Sequence, residues 1–343
     1  MVAATMTKEE RVLAAIRGEE VDRVPFSVWG HHPPGDRTPR GQADIHLRLH
    51  AQHDLDFMKL MFHNMSLLTD FGCEFGENWD ETLGFYAHTR YPIATEQDWH
   101  RLPVLTSTSP AVAGELETLR LVKHGLRDTA LVLITVLSPL MVARLLAGVP
   151  QLAAYMEQAP KSLLEGLEAI TTSTLTFVQA ALDQGADGIF YAMEYASADL
   201  ITNDQFDQLA APVDLRVLWA ARPASQLTML HLHGSNLMFD KVKDWPADAL
   251  NWDDRATLPT LAQALASDGR CVVGGLDQKR TLVSGSEAEA VAEVHDAIAQ
   301  TNGRRLMIAP GCSLPLNVRD RNIGAARRAA LQPLHTARKG ASR

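Results

Sequence analysis

His231, His233 and Cys312 are the residues of this 343-residue chain whose types and spacing could do chemistry together. The two histidines stand in LTMLHLHGSN, where a mostly apolar run leads into a histidine, a leucine and a second histidine. On a β-strand, residues two apart share a face, so both imidazoles lie on one side. The cysteine stands in RLMIAPGCSLP, an apolar run that breaks at Pro310-Gly311 and presents a thiol just beyond. Two neutral imidazoles and one thiolate suit Zn²⁺, and three protein ligands leave a fourth position open for chemistry. The plainer alternative is two core histidines bonded to backbone carbonyls and a cysteine that serves as a small buried hydrophobe. Their joint placement at the ends of apolar runs favours the metal.

Elements that could bring such distant residues together are legible in the hydrophobic pattern. Eight short apolar runs, at 24–29, 56–61, 131–136, 187–192, 227–232, 249–252, 271–275 and 306–309, read as strands. Helical stretches separate them, at 42–53, 114–124, 139–148, 161–182, 204–220, 257–267, 286–301 and 318–331. A first helix is opened by the capping box Thr7 to Glu10, and the 286–301 helix by Ser286 to Glu289. Strand then helix, eight times over, predicts a parallel (β/α)₈ TIM barrel, α/β in class. The stretch 62–113 reads as an irregular insertion between the second and third strands, covering part of the barrel mouth. Residues 1–332 make one domain, and 333–343 a disordered tail. An open doubly wound sheet would need a glycine-rich phosphate turn after its first strand, and VPFSVWGHHPPGD offers none.

Composition narrows the class. The chain is 46% hydrophobic and 21% charged, which fits a globular protein with a large core. Its net charge of −9, with no basic block, argues against a nucleic-acid partner. Three cysteines without a CxxC pair read as reduced thiols in a cytoplasmic protein. The N-terminal residues carry acids and no apolar core, so no signal peptide is expected. The run ALVLITVLSPLMVARLLAG is broken by Ser138-Pro139 and carries Arg144, so it reads as strand plus helix and no membrane span.

In such barrels chemistry sits where strands end. Five of the 13 histidines fall there, a clustering that solvated histidines have no reason to show. His31, Tyr191 and Glu194 are the candidate catalytic residues. His32, His63, Arg37, Trp252 and Asp277 are candidates for substrate binding, and Asp253 for a fourth, displaceable metal ligand. Each has a structural alternative: Glu194 could pair with an arginine, Asp253 could cap a turn, His31 and His32 could shape a turn before Pro33-Pro34, and the tryptophans could be packing.

The segments RVPFSVW, DLDFMKLM, ITVLSPLMVA, GADGIFYAMEYAS, LHLHG, NWDDR, VVGGLDQ and APGCSLP together make the chain resemble the uroporphyrinogen decarboxylase superfamily over nearly its whole length. That resemblance implies the same barrel, often as a homodimer, and two chemistries. One branch decarboxylates tetrapyrrole acetate arms without a cofactor. The other comprises zinc methyltransferases that move a methyl group between a corrinoid protein and a thiol or other acceptor. True decarboxylases carry an RQAGR-type loop after the first strand, where this chain has GHHPPGDRTPRG with Arg37 and Arg40. They carry GHG near the last strand, where this chain has Gly311-Cys312-Ser313. Their tyrosine after the third strand is replaced by an aliphatic residue near Leu145. The transferase branch uses His-x-Cys with a distant cysteine, and here one thiolate has become imidazole. That exchange keeps four-coordinate geometry and removes one negative charge. It makes the metal a stronger Lewis acid and a bound thiolate less nucleophilic, so oxygen-bearing substrates come into view.

The leading expectation is therefore a zinc-dependent methyl or alkyl transferase, or an O-demethylase-type enzyme, acting on a small molecule. No DxHxxG motif appears, so any corrinoid would ride on a separate protein. A carboxy-lyase using Arg37 and Arg40 to hold a carboxylate is the second reading. A catalytically silent tetrapyrrole- or corrinoid-binding module is the third.

Overall fold

The structure, a computed structural model, describes residues 5–62, 65–127 and 129–334. Seven of the apolar runs form strands of one parallel sheet: β1 (Phe57–Leu60), β4 (Leu131–Leu137), β5 (Gly188–Met193), β6 (Leu227–Leu232), β7 (Ala249–Asn251), β8 (Cys271–Leu276) and β9 (Leu306–Pro310). They pair in that order, each bonded to the next. A helix or helical stretch covers each connection, and the two predicted capping boxes are formed at Thr7/Glu10 and Ser286/Glu289.

The run at 24–29, expected as an eighth regular strand, is corrected. It touches the sheet through isolated bridges, Phe26 to Ile308 and Gly30 to Leu314. Pro25 has no N–H to donate, which interrupts any continuous ladder here. The segment still bonds to both edges of the curled sheet. Ser27 N donates to Ile308 O and Ile308 N to Pro25 O on β9, while Asp56 N donates to Phe26 O at the start of β1. Asp56, fully buried, also accepts from Arg11, from both terminal nitrogens of Arg23 and from Phe26 N. This paired charge cluster ties the first helix (Lys8–Arg17), the 24–29 segment and β1 together at the end where β1 begins.

Every sheet strand is buried on both faces, which is why each reads as a continuous apolar run. The two faces pack into different clusters. Phe57, Leu131, Leu133, Phe190, Ala192, Met229, Val273 and Met307 form an inner cluster enclosed by the curled sheet. Their neighbours one residue along, such as Val132, Ile134, Tyr191, Leu230 and Ile308, pack outward against the helices.

The stretch read as irregular contains an antiparallel hairpin, β2 (Glu74–Trp79) with β3 (Tyr86–Arg90). It packs on the loops that follow the 24–29 segment and β9: Tyr86 Oη donates to Asp36 Oδ1 at 2.7 Å, and Leu316 N to Thr82 O at 2.8 Å. The sequence Pro139–Gln158 forms two helices bent by 113° about Gly148, and among the described residues no single helix is long and apolar enough to cross a membrane. His63 and the tail from 335 onward lie outside the described residues.

Candidate metal centre

Strand phase decides which side chains meet. Met229 and His231 share the inner face of β6, and His233 follows just past its end, where its N–H donates to Met193 O. Cys312 lies two residues beyond the end of β9. One donor atom from each of His231, His233 and Cys312 lies within 4.8 Å of the other two. Cys312 Sγ is 3.6 Å from His233 Nδ1. Ligands at zinc–nitrogen and zinc–sulfur lengths of about 2.1 and 2.3 Å, set at a tetrahedral angle, are ~3.6 Å apart. The donor set and its spacing therefore fit zinc. Burial pushes the Cys312 thiol up, but hydrogen bonds to both imidazoles and their charges outweigh it and hold the thiol well below its ordinary range. That hydrogen bond to Cys312 raises His233 in turn, against the opposing effect of burial.

Asn251 completes the arrangement. Fully buried and in register with His231 across β6 and β7, it donates its amide to Val273 O (2.8 Å) and Pro310 O (3.1 Å). Its Oδ1 therefore faces His231 Nδ1, at 2.6 Å, and must accept. The proton of His231 is thus on Nδ1, and Nε2 keeps the lone pair a metal needs. Phe190 stacks on the same imidazole, with ring centroids 5.2 Å apart. Asn251 was not singled out from the sequence, though a polar residue inside ALNW, on the strand after LHLHG, was a visible signal.

A cavity of about 250 Å³ opens over these groups, lined also by Asp253 and Lys279. Asp253 accepts from Lys279 Nζ at 2.9 Å and stands outside the three-donor group. Glu194, at the end of β5, is ion-paired with Arg144, and its charge reaches His233. His31 is buried against the rings of Phe62 and Phe85, and burial, then the charges of Lys59, His32 and His46, pushes it down to about 3. It stays neutral at any physiological pH, so it can accept a proton only weakly. His32 is exposed, with its backbone N–H donating to Asp36.

Four expected site residues face elsewhere. Tyr191 points outward into the helix layer, where its hydroxyl donates to Asp214 at 2.6 Å. Its strand phase is opposite to that of Phe190 and Ala192, so it cannot reach the enclosed face. Trp252 is fully buried, with its indole N–H on Pro259 O and its ring edge-on to Phe239. Asp277 caps the turn after β8, accepting from the N–H groups of Lys279 and Arg280. Arg37 donates to Gly76 O and covers the Tyr86 ring at 4.1 Å, so it holds the hairpin.

Lys59 was missed. It sits on the enclosed face of β1, 4% exposed, its ammonium 4.3 Å from the Phe190 ring centre and 3.0 Å from Met61 Sδ. Among the described residues no carboxylate is paired with it. Burial pulls it from 10.5 down to about 7, opposed by the Cys312 charge. The signal was a lysine in an otherwise apolar strand, DFMKLM, in phase with Phe57.

Comparison with known proteins agrees with this architecture. The family model for uroporphyrinogen decarboxylase (URO-D) matches residues 7–332. The methylcobamide:CoM methyltransferase MtaA of Methanosarcina barkeri is 21% identical over 322 residues, covering 90% of this chain and 93% of that protein. The solved structure of a methyltransferase from Methanosarcina mazei superposes with a TM-score of 0.82 at 21% identity, over 95% of this chain and 98% of that one. A B12-independent methionine synthase from Shewanella sp. W3-18-1, in complex with selenomethionine, gives 0.61 at 10% identity, over 89% and 97%. The chain belongs to the uroporphyrinogen decarboxylase family, with its similar proteins on the methyltransferase side of it.

Proposed function

We propose that the protein is a zinc-dependent methyl or alkyl transferase, or an O-demethylase of that type, acting on a small molecule with a corrinoid carried by a separate protein. The observation that carries the reading is the set of three donors, His231 Nε2, His233 Nδ1 and Cys312 Sγ, together in the lining of one cavity. The methylcobamide-dependent relative supports the corrinoid part. Zinc supplies a Lewis acid that lowers the pKa of an acceptor thiol or alcohol, or polarises an ether oxygen.

The chain's own residues do the rest. Asn251 fixes the His231 tautomer and ring plane, so the site is organised before metal arrives. One thiolate and two neutral imidazoles leave a site of net +1, which favours an anionic or strongly dipolar acceptor. Glu194 is a carboxylate near His233 suited to proton transfer, and Arg144 holds it in place through their ion pair. The β2–β3 hairpin, seated on the loops after the 24–29 segment and β9, is suited to shielding one side of the mouth.

The carboxy-lyase reading loses its footing at the arginines. Arg37 is committed to Gly76 O and Tyr86, and Arg40 is exposed and pairs with Asp44 four residues on. Metal analysis tests the proposal. Purified protein should hold one zinc per chain, and Cys312→Ala or His231→Ala should lose it while circular dichroism stays native. Zinc content unchanged in both variants refutes the site.

A further inference from the structure

Asp253 is a carboxylate beside the three donors that does not join them. Its backbone is pressed against the residue before Cys312: a Cβ on Gly311 would lie 2.5 Å from Asp253 Cα and 2.7 Å from Trp252 O. Only glycine allows that approach, and it places the Asp253 loop against the Cys312 turn. Asp253 and Cys312 line the same cavity. The carboxylate is nonetheless turned to Lys279 Nζ, at 2.9 Å, from the loop after β8. The Asp253 side chain is 13% exposed and that of Lys279 63%. Arg255, two residues along, is bound to Asp254, Asp296 and backbone carbonyls, and among the described residues Lys279 is the cation paired with Asp253.

With a metal on the three donors, two anions would compete for one position. A zinc held by three protein ligands has a single place left in a tetrahedral site. An acceptor that binds as thiolate or alkoxide needs that place, and so would a neighbouring carboxylate. An ion pair with one partner largely in solvent is weak, enough to bias a carboxylate between two partners without locking it.

We propose that Lys279 is a positioning residue that holds Asp253 off the metal and so keeps the fourth coordination position open for the acceptor. This rests on the metal reading given above. Without the lysine, Asp253 turns to the metal and closes the site.

The test uses metal-free wild type, Lys279→Met, Asp253→Asn and the double variant, each titrated with Co²⁺ and then, as cobalt protein, with 2-mercaptoethanol, followed by the visible d–d and thiolate charge-transfer bands. Lys279→Met should bind Co²⁺ about two- to fivefold more tightly and 2-mercaptoethanol about two- to fivefold more weakly, the ceiling being what an exposed ion pair is worth. In the Asp253→Asn background the same lysine substitution should change neither. If Lys279→Met has the same effect in both backgrounds, its charge acts on the metal directly and the inference is overturned. No effect in the wild-type background overturns it as well. A wild-type protein that takes up no cobalt refutes the metal reading itself, a result distinct from either. Lys279 is exposed, so loss of fold is not the expected confounder, and circular dichroism checks each variant.

Discussion

Replacing Lys59 with methionine should stabilise the protein at pH 6, and the gain should shrink as the pH is raised towards 10. The ammonium is buried on the enclosed face of β1 among Phe190, Trp29 and Met61, with no carboxylate paired to it among the described residues. Its pKa falls from 10.5 in the unfolded chain to about 7 in the folded one. At about 1.4 kcal/mol per pH unit, the native state disfavours the charged form by roughly 5 kcal/mol. Methionine has a similar length, fills the same volume and carries no charge. It forfeits the ammonium's contact with the Phe190 face, about 1 kcal/mol, leaving a net gain of roughly 3–4 kcal/mol at pH 6. The sign follows from proton counts. Between pH 7 and 10.5 the unfolded chain holds a proton on Lys59 that the folded chain has shed, so wild-type stability from this group rises across that window. Below pH 7 both states are charged and the penalty is complete; above 10.5 it is gone. Urea unfolding of metal-free wild type and variant at pH 6, 8 and 9.5 measures the difference, and other titrating groups cancel in it. A variant less stable than wild type at pH 6, or a gap that does not narrow with rising pH, refutes the argument.

Two further substitutions probe other buried polar groups. Asn251→Leu removes the acceptor that fixes His231 and strands the carbonyls of Val273 and Pro310, so zinc affinity in a chelator competition should fall by about 10–100-fold. Wild-type affinity in that variant would mean the His231 tautomer is set by something else. Asp214, fully buried with one oxygen on Tyr191 and no partner for the other among the described residues, is pushed by burial up to about 7. A carboxyl whose folded value lies above the unfolded 3.8 gives stability below that value and loses it as pH rises through 7. Asp214→Asn should therefore gain on wild type between pH 4 and 7 and hold that gain above it, as read by thermal unfolding across that range; a gain that does not change with pH counts against it.

The sheet was legible because parallel strands buried on both faces read as unbroken apolar runs, and seven of the eight runs fall within a residue or two of the strands observed. The same property hid the phase. In GIFYAM every residue is apolar or aromatic, so nothing in the letters says that Phe190 faces inward and Tyr191 outward. Tyr191 and Trp252 were drawn into the expected site for that reason. LTMLHLH is different, because two histidines break the run with period two and mark the polar face themselves. The break in the 24–29 run was also written in the chain, as Pro25, but a proline near the start of a strand is tolerated often enough that it does not forbid one.

What the sequence could not show is which polar residues are spent on each other. Arg37, Asp277 and Glu194 all stand near strand ends, where chemistry is expected, yet Arg37 holds the hairpin and Asp277 caps its own turn. Glu194 is tied to Arg144, fifty residues away along the chain, from the helix after β4. Such partners come from loops whose relative placement depends on the order of strands around the curled sheet, and spacing along one strand carries no information about them. Asn251 shows the converse. In register with His231 on one side and Val273 on the other, it is a polar residue in an apolar sheet whose three hydrogen bonds are all met inside the protein. A buried amide with every bond satisfied is rigid, and it fixes the imidazole it faces before any ligand arrives. The fold therefore holds the three donors together, within 4.8 Å of one another, at the wall of one cavity.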